Sequence, residues 1–430
     1  MGTFNSSSYS TKISLYNLIK LINVSLIIIY FAWYITPIFR AYFYGGINNF
    51  IIIGIIFVWF LTSFIINPNW IVNLHFNLVI VTIQIIIFII LALSDIGHNA
   101  SSHMYLAISF WFTIYIFHFY KFMKWYKVIG KIGTILLLIL LITSITTMIG
   151  LINTPNASRI LTSSSSEIDD VILYSKNIGG FDFIYGIIIL VPLFISFLVK
   201  NNQTNLIIKV FFTLILLTSI LVVANASFTI AILTIVLSII LGLLSKLKYR
   251  YIIPLFFVLL ILSFLIPNTI ISDLFYNLAQ LINNEYVSNR LYDIANYLSG
   301  SINSTNNLGI RIFLYKLSLE TFINNPLGIG PYYYSDGVGI GNHSQILDDL
   351  ARYGIFGLMY YILFFSSYFI YIRRIYLSQK LNINFSNSLL IFLFISLLNP
   401  TFSSQTISVI LFFILPSLPF VIRYLNKSID

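Results

Sequence analysis

The segment IGTILLLILLITSITTMIGLI, residues 132–152, contains 21 consecutive residues without one charged side chain. A helix rises about 1.5 Å per residue, so about 20 apolar residues span the hydrocarbon core of a bilayer. The segment shows no alternation of polar and apolar residues, which a transmembrane β-strand would require. It therefore predicts a transmembrane helix, and similar runs recur along the chain.

Composition extends this interpretation to the whole sequence. Of the 430 residues, 59% are hydrophobic and only 8% are charged, whereas soluble domains carry roughly 25% charged residues. These values exclude a water-soluble globule and predict an all-α integral membrane protein that forms one polytopic domain over residues 1–430. About twelve spans are expected, at residues 17–36, 47–66, 74–93, 104–120, 132–152, 183–199, 207–224, 229–245, 251–267, 353–372, 387–402 and 406–422.

The placement of charge predicts the orientation of these spans. With alternating connections, 16 of the 23 basic residues fall on one side, together with both termini. The positive-inside rule makes that side cytoplasmic. Every acidic residue except Asp430 falls on the opposite side. Because residues 1–16 are polar and no small-residue cleavage site follows the first span, we expect no cleavable signal peptide.

Two connections predicted to lie outside are long. Residues 153–182 form a loop rich in serine and asparagine, and residues 268–352 form a much longer loop between spans nine and ten. Within the second loop, residues 283–298 and residues 311–324 repeat apolar side chains at helical spacing. These two segments are predicted to be amphipathic helices on the outer face, the second of them ended by Pro326.

Several kinds of chemistry have no basis in this sequence. No aspartate or glutamate falls within a predicted span, although ion-coupled transporters typically place such groups there. The chain has no cysteine, no metal-ligand cluster and no phosphate-binding glycine loop. The basic residues are those of ordinary cytoplasmic loops rather than of a nucleic-acid surface. We therefore expect no metal, no other cofactor and no nucleic-acid partner.

The predicted outer face nevertheless carries arginines, which topology usually removes from that side. A guanidinium group binds phosphate oxygens in bidentate fashion and stays charged at any working pH. An enzyme that handles a lipid diphosphate at the outer leaflet would use such groups. The alternative is that each arginine only pairs with an acidic residue, as Arg352 could with Asp348 one turn earlier. The outer arginines are Arg40, Arg159, Arg290, Arg311 and Arg352.

The sequence GIGNHSQILDDLARYGIFG, residues 339–357, contains the histidine of greatest interest. We expect Asn342 to cap a helix that starts at His343, with Gln345 completing a capping box. An apolar stripe of Ile346, Leu347 and Leu350 would dock this helix on the bundle. An imidazole there could accept a proton from a hydroxyl near neutral pH, although a lone histidine at a helix start is more often structural.

The motifs RIFLYKLSLETFINNPLGIGPYYYS (residues 311–335) and NHSQILDDLARYGIFGLMYY (residues 342–361) resemble the O-antigen polymerase/ligase superfamily of Wzy-type membrane glycosyltransferases. That family shows an arginine opening an amphipathic helix, an N-P-x-G-x-G turn, a histidine beside asparagine or serine, and a G-x-x-G entering the next span. The matching residues here are Arg311, Asn325, Pro326, Gly328, Gly330, His343, Gly354 and Gly357. The NPTF segment at residues 399–402 also agrees with it.

The resemblance implies a fold of the GT-C-like kind and a polymerase in the bacterial cytoplasmic membrane, with its active site on the outer side. Such an enzyme transfers a glycan from undecaprenyl diphosphate to a hydroxyl of another lipid-linked repeat unit. His343 and Arg311 would be catalytic, and the diphosphate or substrate would be bound by Arg159, Arg290, Arg311, Asn342 and Arg352. A polysaccharide chain-length regulator is a possible protein partner.

Two alternatives to polymerisation stay open. A ligase of the same superfamily would move finished glycan to another acceptor, and the motif residues do not separate it from a polymerase. A lipid-linked oligosaccharide flippase also often has 12 to 14 spans, but it should show related halves and polar residues lining a midplane cavity. This chain instead concentrates its charges outside the predicted spans.

Overall fold

The computed structural model describes residues 15–42, 46–94, 100–155, 157–163, 167–200, 205–226, 228–246, 268–282, 285–299, 307–330, 339–379, 381 and 383–427. Within them all regular structure is helical. The helices are α1 Leu15–Ile35, α2 Ile38–Tyr42, α3 Gly46–Ile66, α4 Asn69–Val72, α5 Phe76–Ser94, α6 Ala100–Phe122, α7 Tyr126–Asn153, α8 Ala157–Ser163, α9 Glu167–Ser175, α10 Phe181–Lys200, α11 Leu206–Asn225, α12 Thr229–Leu243, α13 Asn268–Leu281, α14 Glu285–Leu298, α15 Asn307–Asn324, α16 Gln345–Ser378, α17 Ser386–Leu398 and α18 Gln405–Leu425.

The apolar helices confirm a multi-pass membrane protein. In the described residues, α1, α7, α10, α11, α16 and α18 are long and apolar enough to cross a bilayer. Shorter apolar helices occur within α3, α5, α12 and α17. The predicted span at residues 251–267 lies outside the described residues, so the count of twelve stays a prediction.

Helices α10 and α18 lie at the centre of the bundle. Residues Phe183–Phe197 of α10 and residues 405–422 of α18 are buried without interruption. A helix that is hydrophobic on every side is stable only when other helices or lipid surround it. Helices α7, α11, α12 and α17 contact this central pair. Their outward faces expose large apolar side chains such as Ile142, Leu217 and Leu390, a surface suited to lipid rather than water.

The segments predicted to lie outside contain more helix than their sequences indicated. Helices α8 and α9 lie within residues 153–182, whose serine-rich composition predicted only a loop. Helix α13 was not predicted either, whereas α14 confirms the amphipathic segment at residues 283–298. Helix α15 begins at Asn307, so the prediction that Arg311 opens this helix is wrong. Arg311 lies one turn inside it.

Helix α16 is interrupted at Gly354, which has φ +59° and ψ −141°. The break leaves backbone groups of the helix without their usual partners, and the turn at residues 325–330 supplies new ones. Ile329 N donates to Ala351 O at 3.0 Å, and Gly330 N donates to Arg352 O at 3.0 Å. In return Ile355 N donates to Pro326 O at 2.8 Å. The N-P-x-G-x-G turn and the glycine of the next motif therefore form one backbone junction.

Glycine is required on both sides of this junction. A Cβ on Gly354 would overlap Pro326 O, and a Cβ on Gly328 would overlap Arg352 O. Gly328 also has a positive φ of +87°, a conformation that side chains with a Cβ rarely adopt. Gly354 thus allows a close approach of the turn at residues 325–330 to α16. Gly357 approaches Asp349 O and Tyr353 Cβ of its own helix.

We expect Gly354→Ala to destabilise the protein by about 2 kcal/mol or more, because the new Cβ meets both a backbone overlap and an unfavourable φ. Thermal unfolding in detergent would show a clearly lower midpoint. Gly54→Ala is the matched control, since a Cβ at Gly54 meets no atom within 4 Å. An unchanged midpoint for Gly354→Ala would contradict this account of the junction.

Candidate active site

A cavity of about 360 Å³ lies between α15, α10 and the segments that flank α16 and α17. Both residues predicted to be catalytic, Arg311 and His343, line it, and Asn342 lies beside them. Its other lining residues are Leu161, Tyr174, Gly180, Phe181, Asp182, Asn399, Pro400 and Ser403. Residues from six separate parts of the chain therefore meet in one partly open space.

The loop that carries His343 is fixed on helix α15 by side-chain hydrogen bonds. Gly341 N donates to Ser318 Oγ at 2.9 Å, and Ser318 Oγ donates to Asp348 Oδ1 at 2.6 Å. The other carboxylate oxygen of Asp348 accepts from Ser344 N at 3.0 Å. These bonds hold residues on both sides of His343. Since Arg311 is two turns from Ser318 on the same helix, they also set the position of His343 relative to Arg311.

The imidazole of His343 is half-buried, and its Nδ1 lies 3.1 Å from Gly341 O. A carbonyl oxygen can only accept, so this hydrogen bond requires a proton on Nδ1. In the neutral ring the unprotonated nitrogen is then Nε2. The loop therefore selects the tautomer in which Nε2 can accept a proton.

The predicted start of the helix after His343 is wrong by two residues. Ser344 is the N-cap, and its Oγ accepts from Leu347 N at 3.1 Å. Asn342 instead has a positive φ of +55°, as asparagine adopts more readily than most residues. Serine is as good a cap as asparagine, and the hydrogen bond from Ser344 N to Asp348 adds to its advantage. His343 lies just before the helix rather than in its first turn.

The face of α16 that docks on the bundle is only partly the predicted apolar stripe, of which Leu350 is buried and Ile346 packs against the core. Gln345, Asp348 and Asp349 are buried, whereas Ile346 and Leu347 are only partly buried. The polar face is stable inside because its groups satisfy one another. Asp349 Oδ2 accepts from Gln345 Nε2 and from the Tyr361 hydroxyl, each at 2.8 Å. Buried polar groups paired in this way avoid most of the cost of desolvation.

Arg311 is the arginine whose surroundings suit an anion. Its Nη1 atom is buried and has no hydrogen-bond partner of ordinary geometry in the described part of the chain. Its polar neighbours include the hydroxyl groups of Tyr315 and Tyr185, which are not carboxylates. Burial raises the pKa of Tyr315, and the opposing effect of the Arg311 charge is smaller. Tyr315 therefore stays neutral and donates to Leu398 O at 2.7 Å.

Arg352 has protein partners of its own. Its Nη1 lies 3.4 Å from Asp349 Oδ1, and its Nη2 donates to Asn342 Oδ1 at 2.8 Å. The expectation of a pair with Asp348 is wrong, because Asp348 is occupied by Ser318 and Ser344. Arg352 is not among the residues that line the cavity. It orients Asn342, which does line it.

The side chains of Arg159 and Arg290 lie outside the part of the chain that the structure describes. Their backbones place Arg159 on α8 and Arg290 on α14. Helix α8 is next to the cavity, because Leu161 lines it and Ser158 Oγ donates to Gly179 O at 2.7 Å. Helix α14 packs against α15, which carries Arg311. The predicted convergence of the three arginines stays a prediction.

Sequence reasoning missed part of the cavity wall. Asp182 was recognised only as an acidic residue on the outer side, and Asn399 only as part of the NPTF segment. Neither is near the histidine motif along the chain. Asn399 O accepts from Gln345 N at 3.2 Å, and Phe402 N donates to Gln345 Oε1 at 3.0 Å. These two bonds place the NPTF segment against the start of α16.

Residues 211–362 match the family model described as O-antigen ligase. This part of the chain is an O-antigen ligase family domain. It contains α15, the histidine loop and the first half of α16, and the resemblance predicted from the motifs is confirmed. A search of curated proteins found no match. The protein is thus a multi-pass membrane protein that contains a domain of the O-antigen ligase family, whose members are membrane enzymes that act on lipid-linked glycans in polysaccharide biosynthesis.

Proposed function

We propose that this protein is a polysaccharide polymerase that joins undecaprenyl-diphosphate-linked repeat units on the outer face of the bacterial cytoplasmic membrane. The observation that carries the proposal is that Arg311 and His343 line one cavity. One of the two is a half-buried cation whose Nη1 is enclosed and which has no carboxylate partner in the described residues, and the other has a nitrogen free to accept a proton. The transfer reaction needs both groups.

Arg311 binds the diphosphate of the donor lipid. A guanidinium group presents several N–H donors in a plane and pairs with phosphate oxygens in bidentate fashion. When the bond between the sugar and the diphosphate breaks, the bonding electrons leave with the diphosphate. A fixed cation in a site partly shielded from water stabilises that developing charge strongly. Arg159 and Arg290 are proposed to add to this binding, and Asn342, oriented by Arg352, to hydrogen-bond the substrate.

His343 activates the acceptor. Its Nε2 takes the proton from the attacking hydroxyl while the hydroxyl oxygen forms a bond to the anomeric carbon of the donor glycan. The bond from that carbon to the diphosphate oxygen breaks in the same step. The hydrogen bond from Nδ1 to Gly341 O keeps the ring oriented as it becomes charged. Proton, electron pair and leaving group are thus all accounted for by groups of this cavity and its substrates.

A ligase is the second candidate, because the matching family model is described as O-antigen ligase. The same arginine and histidine would serve a ligase, since the donor and the bond cleaved are the same. The two differ in the acceptor, which is another lipid-linked repeat unit for a polymerase and a different molecule for a ligase. A product ladder from one lipid-linked substrate supports the polymerase, whereas transfer only to a second acceptor supports the ligase. The family domain favours either enzyme over a flippase.

We expect Arg311→Lys to reduce elongation of lipid-linked repeat units by roughly a hundredfold, similar to the loss of one charged donor at a developing anion. Lysine keeps the charge but loses the planar fork. Purified protein in nanodiscs would be assayed by the size distribution of its products. Arg373→Lys is the matched control, since Arg373 is exposed at the opposite end of α16. Near-normal elongation by Arg311→Lys would remove Arg311 from the mechanism.

We expect His343→Ala to lower turnover by roughly a hundredfold or more, as the loss of a general base does, while lipid-substrate binding stays largely intact. His343→Gln should be nearly as poor, because an amide keeps some hydrogen bonding but does not accept a proton at neutral pH. The rate would be measured from pH 6 to pH 9, with His75→Ala as the control histidine. A wild-type rate and pH profile for His343→Ala would assign the base to another group.

A further inference from the structure

The wall of the cavity that contains Asn399 has a polar group without a partner. Asn399 is 3% exposed and lines the cavity. Its amide lies beside the hydroxyl of Tyr185, yet Nδ2 has no hydrogen-bond partner of ordinary geometry in the described part of the chain. An amide nitrogen carries two N–H donors, and buried donors in native proteins are usually satisfied. Nδ2 is itself closed off from solvent, so a ligand in the cavity reaches this donor through a small rotation of the amide.

The backbone holds this side chain in a fixed place. Asn399 is the C-cap of α17, and its N–H donates to Ile395 O at 2.8 Å. Its carbonyl accepts from Gln345 N, two residues after His343 in the chain. The amide is therefore held in place relative to the histidine loop. Such pre-organisation is what a binding group needs to discriminate between ligands.

The neighbours of Asn399 in the cavity suit a sugar ring. Asp182 is a carboxylate and accepts hydrogen bonds, and Ser403 has a hydroxyl that can donate or accept. Tyr174 and Phe181 add aromatic rings to the same lining. A pyranose ring presents hydroxyl groups around its edge and C–H groups on its faces, so it needs both kinds of surface.

We propose that Asn399, Asp182 and Ser403 form a subsite that binds a hydroxylated sugar ring of the lipid-linked glycan, next to the diphosphate held by Arg311. The inference rests on the proposed function for the diphosphate side of the cavity. The cavity of about 360 Å³ lies near the lower end of the usual range for small-molecule pockets. It accommodates a phosphate group and a sugar ring near it, not a long polymer. The subsite selects the sugar because a site built to hydrogen-bond a hydroxyl rejects ligands that lack it.

The test compares two probes with purified protein in nanodiscs. One probe is bare undecaprenyl diphosphate, and the other is the lipid-linked repeat unit extracted from source cells in which this gene is deleted. We expect Asn399→Leu to weaken binding of the repeat unit by about tenfold, as one lost hydrogen bond would. Its dissociation constant for the bare lipid should stay within about twofold of wild type. Ser403→Ala should act in the same direction, with a smaller effect because Ser403 is exposed.

Control variants distinguish the loss of the sugar subsite from misfolding and from the loss of the diphosphate site. Asn387→Leu removes a buried amide near the other end of α17, where Nδ2 donates to Leu241 O, and it should change neither dissociation constant. Asp182→Asn keeps the shape of the wall and provides a second test if Asn399→Leu folds poorly. Arg311→Lys should weaken the binding of both probes. If it does not, the proposed diphosphate site is wrong and the sugar subsite is not affected. The proposed sugar subsite is wrong if the variants at Asn399, Ser403 and Asp182 weaken the binding of both probes equally or leave both dissociation constants unchanged.

Discussion

The backbone junction between the turn at residues 325–330 and the interruption of α16 at Gly354 is the constraint on which the candidate site depends. Two carbonyl oxygens and one N–H group released by the interruption are paired with that turn. Backbone groups left unpaired inside the protein would be costly, so the interruption and the turn exist together. The junction separates residues 345–353, which carry the polar contacts of the site, from the apolar part of α16. It also ties the end of α15 to α16.

The Asp348 carboxylate extends this constraint to the histidine. It accepts from Ser318 on α15 and from the backbone just after His343, so one side chain connects the helix of Arg311 with the loop of His343. The second carboxylate, Asp349, is engaged by Gln345, Tyr361 and Arg352. These two acids support the site and do not line the cavity. Among the described residues that line the cavity, the buried side-chain atoms without a hydrogen-bond partner are Nη1 of Arg311 and Nδ2 of Asn399.

The length of the apolar segments and the composition were sufficient to predict an α-helical membrane protein. Few structures other than a long apolar helix are stable in the hydrocarbon core of a bilayer. The pairing of Arg311 with His343 was predictable through the family motifs. Helix periodicity and capping preferences gave wrong predictions where contacts between distant parts of the chain determine the structure. Periodicity alone identified an apolar stripe and did not indicate that Asp348 and Asp349 are buried, since it contains no information about partners such as Ser318 and Tyr361. The capping rule chose Asn342 over Ser344, two residues with similar intrinsic preference.

The sugar-facing wall could not be predicted from local sequence at all. Asp182 and Asn399 are more than 200 residues apart in the chain and enter the cavity from α10 and from the end of α17. Neither belongs to the segment of residues 211–362 that matches the family model. Only the packing of α10 against α17 and α18 brings them together.

The most direct measurement of the central claim is a cryo-electron microscopy structure of the His343→Ala protein in nanodiscs with its lipid-linked substrate. We expect density for the diphosphate within hydrogen-bonding distance of Arg311, with the first sugar between that group and Asn399. A diphosphate bound away from this cavity, with Arg311 and position 343 both distant from it, would contradict the account.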